Sequence, residues 1–203
     1  MADQPHFSAA ADRNKEVILE QLRLHLPKRA HVLEVASGTA QHALHFSENW
    51  PELTWQTSDR HVAEYGLADT VASVNRANLP TPLQLDVADW PNDLGGFDGV
   101  YSANCIHVMP HENLAPYVEG AARALKPGGV MLLYGPFKYG GAFTTPSNKE
   151  FSRFLGERYP GGGIRDFEEV DRLAQAHGLV LVHDTPMPSN NQFIVWRKWA
   201  GGA

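Results

Sequence analysis

The chain has 203 residues, 43% of them hydrophobic and 20% charged, with 17 Lys+Arg against 23 Asp+Glu for a net charge of -6. That length holds one domain with a substantial core, and the balance is that of an ordinary globular protein rather than a disordered one. The acidic surplus and the lack of a Lys/Arg run argue against a nucleic-acid partner, and no stretch approaches the roughly 20 apolar residues of a membrane span.

The opening Met1-Ala-Asp-Gln-Pro-His has no charged segment followed by an apolar one, so no leader is expected. Ser8 to Leu26 carries Val17, Ile18, Leu22 and Leu26 at the spacing of one helical face, and Pro27 ends it. His31 to Ala36 is a short apolar run, followed by a Ser-Gly-Thr turn and a helix from Ala40 to Asn49. Leu53 to Asp59 reads as a second strand with a helix from His61 to Asn75 after it, and Leu83 to Val87 as a third strand. Phe97 to Ala103 is a fourth strand, Glu112 to Leu125 a helix, Lys126-Pro-Gly-Gly129 a turn, and Val130 to Tyr134 a fifth strand. Strands alternating with helices predict an α/β, doubly wound, mainly parallel sheet covered on both faces.

The last third departs from that alternation. Ser147 to Arg158 and Asp166 to His177 are helical, the latter opening with a capping-box spacing, Asp166-x-x-Glu169, and Gly161-Gly-Gly163 between them reads as a flexible loop. Leu179 to His183 and Gln192 to Trp196 are strands with no helix between, which predicts an antiparallel hairpin at the sheet edge. One domain over 1–203 follows, with 1–29 a leading helix or cap and 30–199 the core. The single cysteine, Cys105, excludes an intrachain disulfide and a cysteine-built zinc site, and it fits a reducing cytoplasm.

In an open α/β sheet, ligands bind beyond the carboxyl ends of the strands, near the point where strand order reverses. Four features fall there. Glu34-Val-Ala36-Ser37-Gly38-Thr-Ala40 joins the first strand to its helix, with small residues that admit a ligand to the backbone and free N–H groups at a helix start. Asp59 ends the second strand, about 20 residues on, where a carboxylate can accept both ribose hydroxyls; a helix N-cap is the plainer role for it. Asp86-Val87 ends the third, where the acid can accept from an adenine amino group and Val87 cover the ring; a turn carboxylate is the plainer role. Ser102-Ala103-Asn104 ends the fourth. The loop departs from G-x-G-x-x-G, and two successive strand-ending acids suit one adenosine better than a pyrophosphate-linked pair, so a nicotinamide dinucleotide is the weaker candidate ligand.

These residues resemble the class I methyltransferases, which use S-adenosylmethionine and release S-adenosylhomocysteine. Glu34-x-Ala36-x-Gly38 is similar to their glycine loop, Asp59 to their ribose acid, Asp86 to their adenine-side acid, and Leu125-Lys-Pro-Gly-Gly129 to the turn before their fifth strand. The resemblance spans Ala30 to Arg197 and implies a Rossmann-like, seven-stranded sheet. Ala11-Asp-Arg13-Asn14-Lys15, Leu33 to His42, Ala103-Asn104-Cys-Ile-His107 and Tyr134-Gly-Pro-Phe137 resemble, more narrowly, a small methyltransferase-like family of unassigned substrate found in bacteria and animals. Ala36 and Ala40 stand where most class I enzymes carry glycine, and their methyl groups are tolerable if the backbone there keeps negative φ.

Methyl transfer from a sulfonium is an in-line displacement, so the protein chiefly positions donor and acceptor. A base matters only for an alcohol, or for an amine that arrives protonated. The cofactor set implied is Arg13, Asn14, Glu34, Ala36, Ser37, Gly38, Asp59, Arg60, Asp86, Val87, Ala103 and Asn104. Arg13 would pair with the methionine carboxylate, and Glu34 would brace the loop by accepting its backbone N–H groups. His107 is the candidate base or orienting group, the alternative being a histidine packed against the next helix. Tyr139, beside a Gly140-Gly141 hinge, Asn148 and Asn191 are candidate rim groups. His42 and His45 have helical spacing but no third ligand nearby, so no metal is expected. The reading is a methyltransferase acting on a small molecule, monomeric or dimeric. The alternatives are a catalytically silent S-adenosylmethionine-binding scaffold and a nicotinamide-dependent oxidoreductase.

Overall fold

The structure, a computed structural model, describes residues 7–201; the expectation about Met1 to His6 falls outside them. In chain order the elements are α1 (Ala9–His25), β1 (His31–Val35), α2 (Gln41–Asn49), β2 (Thr54–Asp59), α3 (Leu67–Val74), β3 (Leu83–Gln84), β4 (Phe97–Ala103) and α4 (Cys105–Val108). Then come α5 (Leu114–Ala124), β5 (Leu125–Gly135), β6 (Lys138–Tyr139), β7 (Ala142–Phe143), α6 (Pro146–Arg158), α7 (Phe167–Ala176), β8 (Leu179–Met187) and β9 (Asn191–Lys198).

Seven strands form one sheet in the order β3-β2-β1-β4-β5-β9-β8. The first five run parallel, and β9 enters antiparallel between β5 and β8. Strand order reverses between β1 and β4, so a crevice opens beyond their carboxyl ends. The expected α/β doubly wound sheet and its antiparallel end are thus present.

Period-two alternation divides the core between the two faces. Leu33, Val35, Met131, Leu133, Ile194 and Trp196 pack on one side with α5 and α7. Val32, Leu132, Phe193 and Val195 pack on the other with α1 and α2, where Ile18, Leu22 and Phe46 are fully buried. Each such side chain contributes about 1.5–3 kcal/mol.

Several boundaries differ from expectation, each for a local reason. The third helix starts at Leu67 rather than His61, because Asp59 accepts the His61 N–H in a turn and the chain winds on to a left-handed Gly66 before the helix begins. β3 stops at Gln84, where Asp86 accepts the Ala88 N–H and closes a turn. The Asp166–Glu169 capping box does not form. Asp166 accepts from the Gly141 N–H and Glu168 from the Gly140 N–H, while Glu169 meets His111, so the supposed hinge is pinned. The triple glycine is likewise held: Gly163 donates to the His107 carbonyl, and Gly161 accepts from the buried Arg165 guanidinium.

Among the described residues no helix is long and apolar enough to cross a membrane.

Candidate functional site

A cavity of about 430 Å³ opens at the carboxyl ends of β1, β2 and β4. Its floor is the loop after β1, whose backbone is held in left-handed turns at Ala36 (φ 61°), Gly38 (φ 52°) and Ala40 (φ 62°). The expectation of negative φ at the two alanines is therefore corrected. An L-residue there costs roughly 1–2 kcal/mol, and residues in such sparsely populated conformations cluster at functional sites. Asn104, at the end of β4 on the opposite wall, is also left-handed (φ 59°).

Asp59 is buried, and its two carboxylate oxygens accept backbone N–H groups from Gly38 (2.9 Å) and His61 (2.8 Å). These bonds fix the carboxylate's orientation on the cavity wall, and an ionised carboxylate has further lone pairs for a diol. Glu34 lies deeper. It accepts from the Trp55 indole (3.0 Å) rather than from loop N–H groups, and burial pushes its carboxyl up to about 7 against the pull of Trp55 and Ser37.

Helix α1 roofs the cavity. Ser8 caps it by accepting from Ala11, and Gln41 exchanges hydrogen bonds with the Ser8 backbone while accepting from Thr39. His42 fixes the next turn, its Nε2 lying 2.7 Å from the Asn14 side-chain oxygen Oδ1 and its Nδ1 3.3 Å from the Tyr101 hydroxyl. Burial drives the His42 imidazole down to about 4, so the ring is neutral: Nε2–H donates to Asn14 and Nδ1 accepts from Tyr101. Gln41, His42, Thr39 and Ser8 line the cavity but stand outside the expected cofactor set. Their signal is position, directly after the glycine loop and at a helix start; Gln41 and His42 also close the Leu33 to His42 stretch that carries the narrower resemblance.

A second cavity, about 340 Å³, adjoins the first and shares Ala10, Asn14 and Asn104 with it. It lies between α1, α6 and the β8–β9 connection, with Tyr134 and Phe151 as its aromatic walls. Asn191 donates to the Tyr134 hydroxyl (2.9 Å), and Asn148 donates to the Asn190 carbonyl (3.0 Å). Burial raises the Tyr134 phenol, partly offset by hydrogen bonds from Asn14 and Asn191.

Of the expected cofactor residues, Asn14, Glu34, Ala36, Ser37, Gly38, Asp59, Ala103 and Asn104 line the first cavity. Arg13 lines only the second. Asp86 lies outside both, ion-paired with Arg60 at 3.1 Å, and Val87 packs against the core. Of the expected acceptor groups, Asn148 and Asn191 line the second cavity. Tyr139 does not, because its hydroxyl donates to Asp184 (2.7 Å) and its ring stacks on Phe167.

His107 faces neither cavity. It is 1% exposed, its Nδ1 accepts from the Arg165 backbone N–H, and burial with the nearby Arg165 guanidinium pushes it down to about 3. With Nδ1 accepting, the ring proton sits on Nε2, so the free nitrogen is a donor. A base is therefore not what this imidazole offers. Burial likewise raises the Cys105 thiol to about 12, which makes it inert.

Comparison with solved structures places this architecture. An O-methyltransferase family protein from Burkholderia thailandensis superposes with a TM-score of 0.76 at 17% identity, over 95% of this chain and 60% of that one. Human N-acetylserotonin methyltransferase in complex with S-adenosylmethionine gives 0.73 at 15% identity, over 94% and 53%. An O-methyltransferase family 2 protein from Planctomyces limnophilus in complex with apigenin gives 0.69 at 19%, over 91% and 61%. The chain thus has the class I methyltransferase fold and spans about half to three-fifths of the length of these proteins. A family model described as "Protein of unknown function (DUF938)" matches residues 5–198, nearly the whole chain, and the protein belongs to that family.

Proposed function

We propose that this protein is an S-adenosylmethionine-dependent methyltransferase acting on a small-molecule acceptor. The observation that carries the reading is the joining of two cavities through Asn14 and Asn104, the first built on Asp59 and a strained loop at the switch point of the sheet. The first cavity has the features an adenosyl group needs: an oriented carboxylate for a ribose diol, and a backbone loop without bulky side chains. When bound there, S-adenosylmethionine supplies an activated methyl group. Asp59 would hold the ribose and the Ala36–Gly38 backbone would border the amino-acid half. Asn104, at the boundary between the cavities, would orient the donor end toward the second one. The residues then act by positioning and by excluding water under α1. A small acceptor is supported by the 340 Å³ of the second cavity, and by structural neighbours named for, or complexed with, N-acetylserotonin and apigenin.

Incubation with methyl-labelled S-adenosylmethionine and a metabolite extract tests the reading. A labelled small molecule is the expected product. Label found only in protein or RNA, or no transfer despite tight binding, would overturn it in favour of a macromolecular substrate or a silent binding protein.

A further inference from the structure

The two cavities differ in ionisable groups. The first has Glu34, His42 and Asp59 in its walls, whereas among the described residues Arg13 and Tyr134 are the only ionisable side chains lining the second. The remaining polar groups there are amides and hydroxyls, including Asn148 and Asn191. The acids next to Arg13 on α1 are engaged elsewhere, Asp12 with Lys15 and Glu16 with His45.

Among the described residues, no side chain lining this cavity is suited to remove a proton. The Tyr134 phenol is raised by burial and stays protonated at neutral pH. His107, behind Asn104, is buried and has its bare nitrogen occupied by the Arg165 N–H. The acidic groups of the first cavity, Asp59 and Glu34, do not line the second. A neutral alcohol must lose its proton to become a good nucleophile, whereas an ionised oxygen needs no base.

We infer that the second cavity takes a small organic anion, a carboxylate on a planar apolar body, with Arg13 as its charge partner and the carboxylate oxygen as the methyl acceptor. This rests on the methyltransferase reading above. The guanidinium fork matches a carboxylate, and the Tyr134 and Phe151 rings suit a flat apolar body. In the transfer, a carboxylate lone pair forms the new C–O bond as the methyl C–S bond of the sulfonium breaks. The electron pair of that bond stays on sulfur. The products are a methyl ester and a neutral thioether, opposite charges disappear together, and no proton moves.

Calorimetry on the protein saturated with S-adenosylhomocysteine, using benzoate and its uncharged analogue benzamide as probes, tests the inference. Benzoate should bind at least about tenfold more tightly, and Arg13→Gln should abolish that preference while the variant still binds S-adenosylhomocysteine. Equal affinity for the two probes, a preference that survives in Arg13→Gln, or loss of S-adenosylhomocysteine binding in that variant would overturn it. The label moved into the metabolite extract gives a second readout. A carboxyl ester releases it as methanol in mild alkali, and wholly alkali-stable label contradicts the inference while leaving the methyltransferase reading intact. Failure of the unaltered protein to bind S-adenosylhomocysteine at all would defeat that reading first.

Discussion

Asp59 has one job visible in the fold and one that the fold makes available. Its oxygens already anchor the Gly38 and His61 N–H groups, which aims the carboxylate instead of leaving it to wander. Charge-assisted hydrogen bonds to a ribose would then come at little ordering cost. Asp59→Asn keeps the shape but replaces one acceptor with a donor, and it should weaken S-adenosylhomocysteine binding by about 2 kcal/mol in calorimetry. Unchanged affinity would remove Asp59 from the ligand. Ala36 tests the loop differently. It is exposed and left-handed, so Ala36→Gly should raise the unfolding free energy in urea by about 1 kcal/mol, and a loss would mean the methyl group has a packing role. The sequence identified this loop by its small residues but not its handedness, since alanine carries no signal for positive φ. Of the two roles the sequence leaves open for His107, the structure has the packed one; the sequence does not choose between them because strand-end position looks the same whether the side chain turns toward the crevice or into the wall.

The elements around the cavity are tied by buried titratable groups of opposite sign. His42 and His107, and less deeply His25 and His31, are lowered below their ordinary value, so the unfolded chain binds protons that the fold refuses. Their contribution is complete above about pH 6.5 and is lost as pH falls below it. Glu34, raised to about 7, works the other way: its contribution is complete below about pH 4.5 and lost as pH rises through 7. The histidines outnumber it, so urea midpoints should fall on acidification from pH 6.5 toward 5. Glu34→Gln, compared with the unaltered protein, should be relatively more favourable at pH 8 than at pH 5. A difference that is constant or reversed between the two pH values would mean Glu34 is not a buried acid of raised affinity for protons. At this scale the sequence was legible wherever hydrophobic period decided the element, as in β4 and the helixless β8–β9 pair. It was less so where a side chain diverted the backbone: Asp59 delayed α3, Asp86 ended β3, and the acids near Asp166 turned to glycine N–H groups instead of capping α7.

Across the whole molecule, the parallel order β3-β2-β1-β4-β5 puts residues far apart in sequence at one edge, and α1 closes over them. Gln41 and His42 bind that helix down through Ser8 and Asn14, contacts that cross more than 25 positions and carry no periodic mark in the chain. The helix therefore belongs to both cavities, and the division of labour between them is a property of the assembled fold. The measurement that tests the central claim most directly is a calorimetric titration of the purified protein with S-adenosylhomocysteine and, separately, with NAD. Saturable one-to-one binding of S-adenosylhomocysteine and none of NAD is the predicted result. Binding of NAD without S-adenosylhomocysteine would contradict the account.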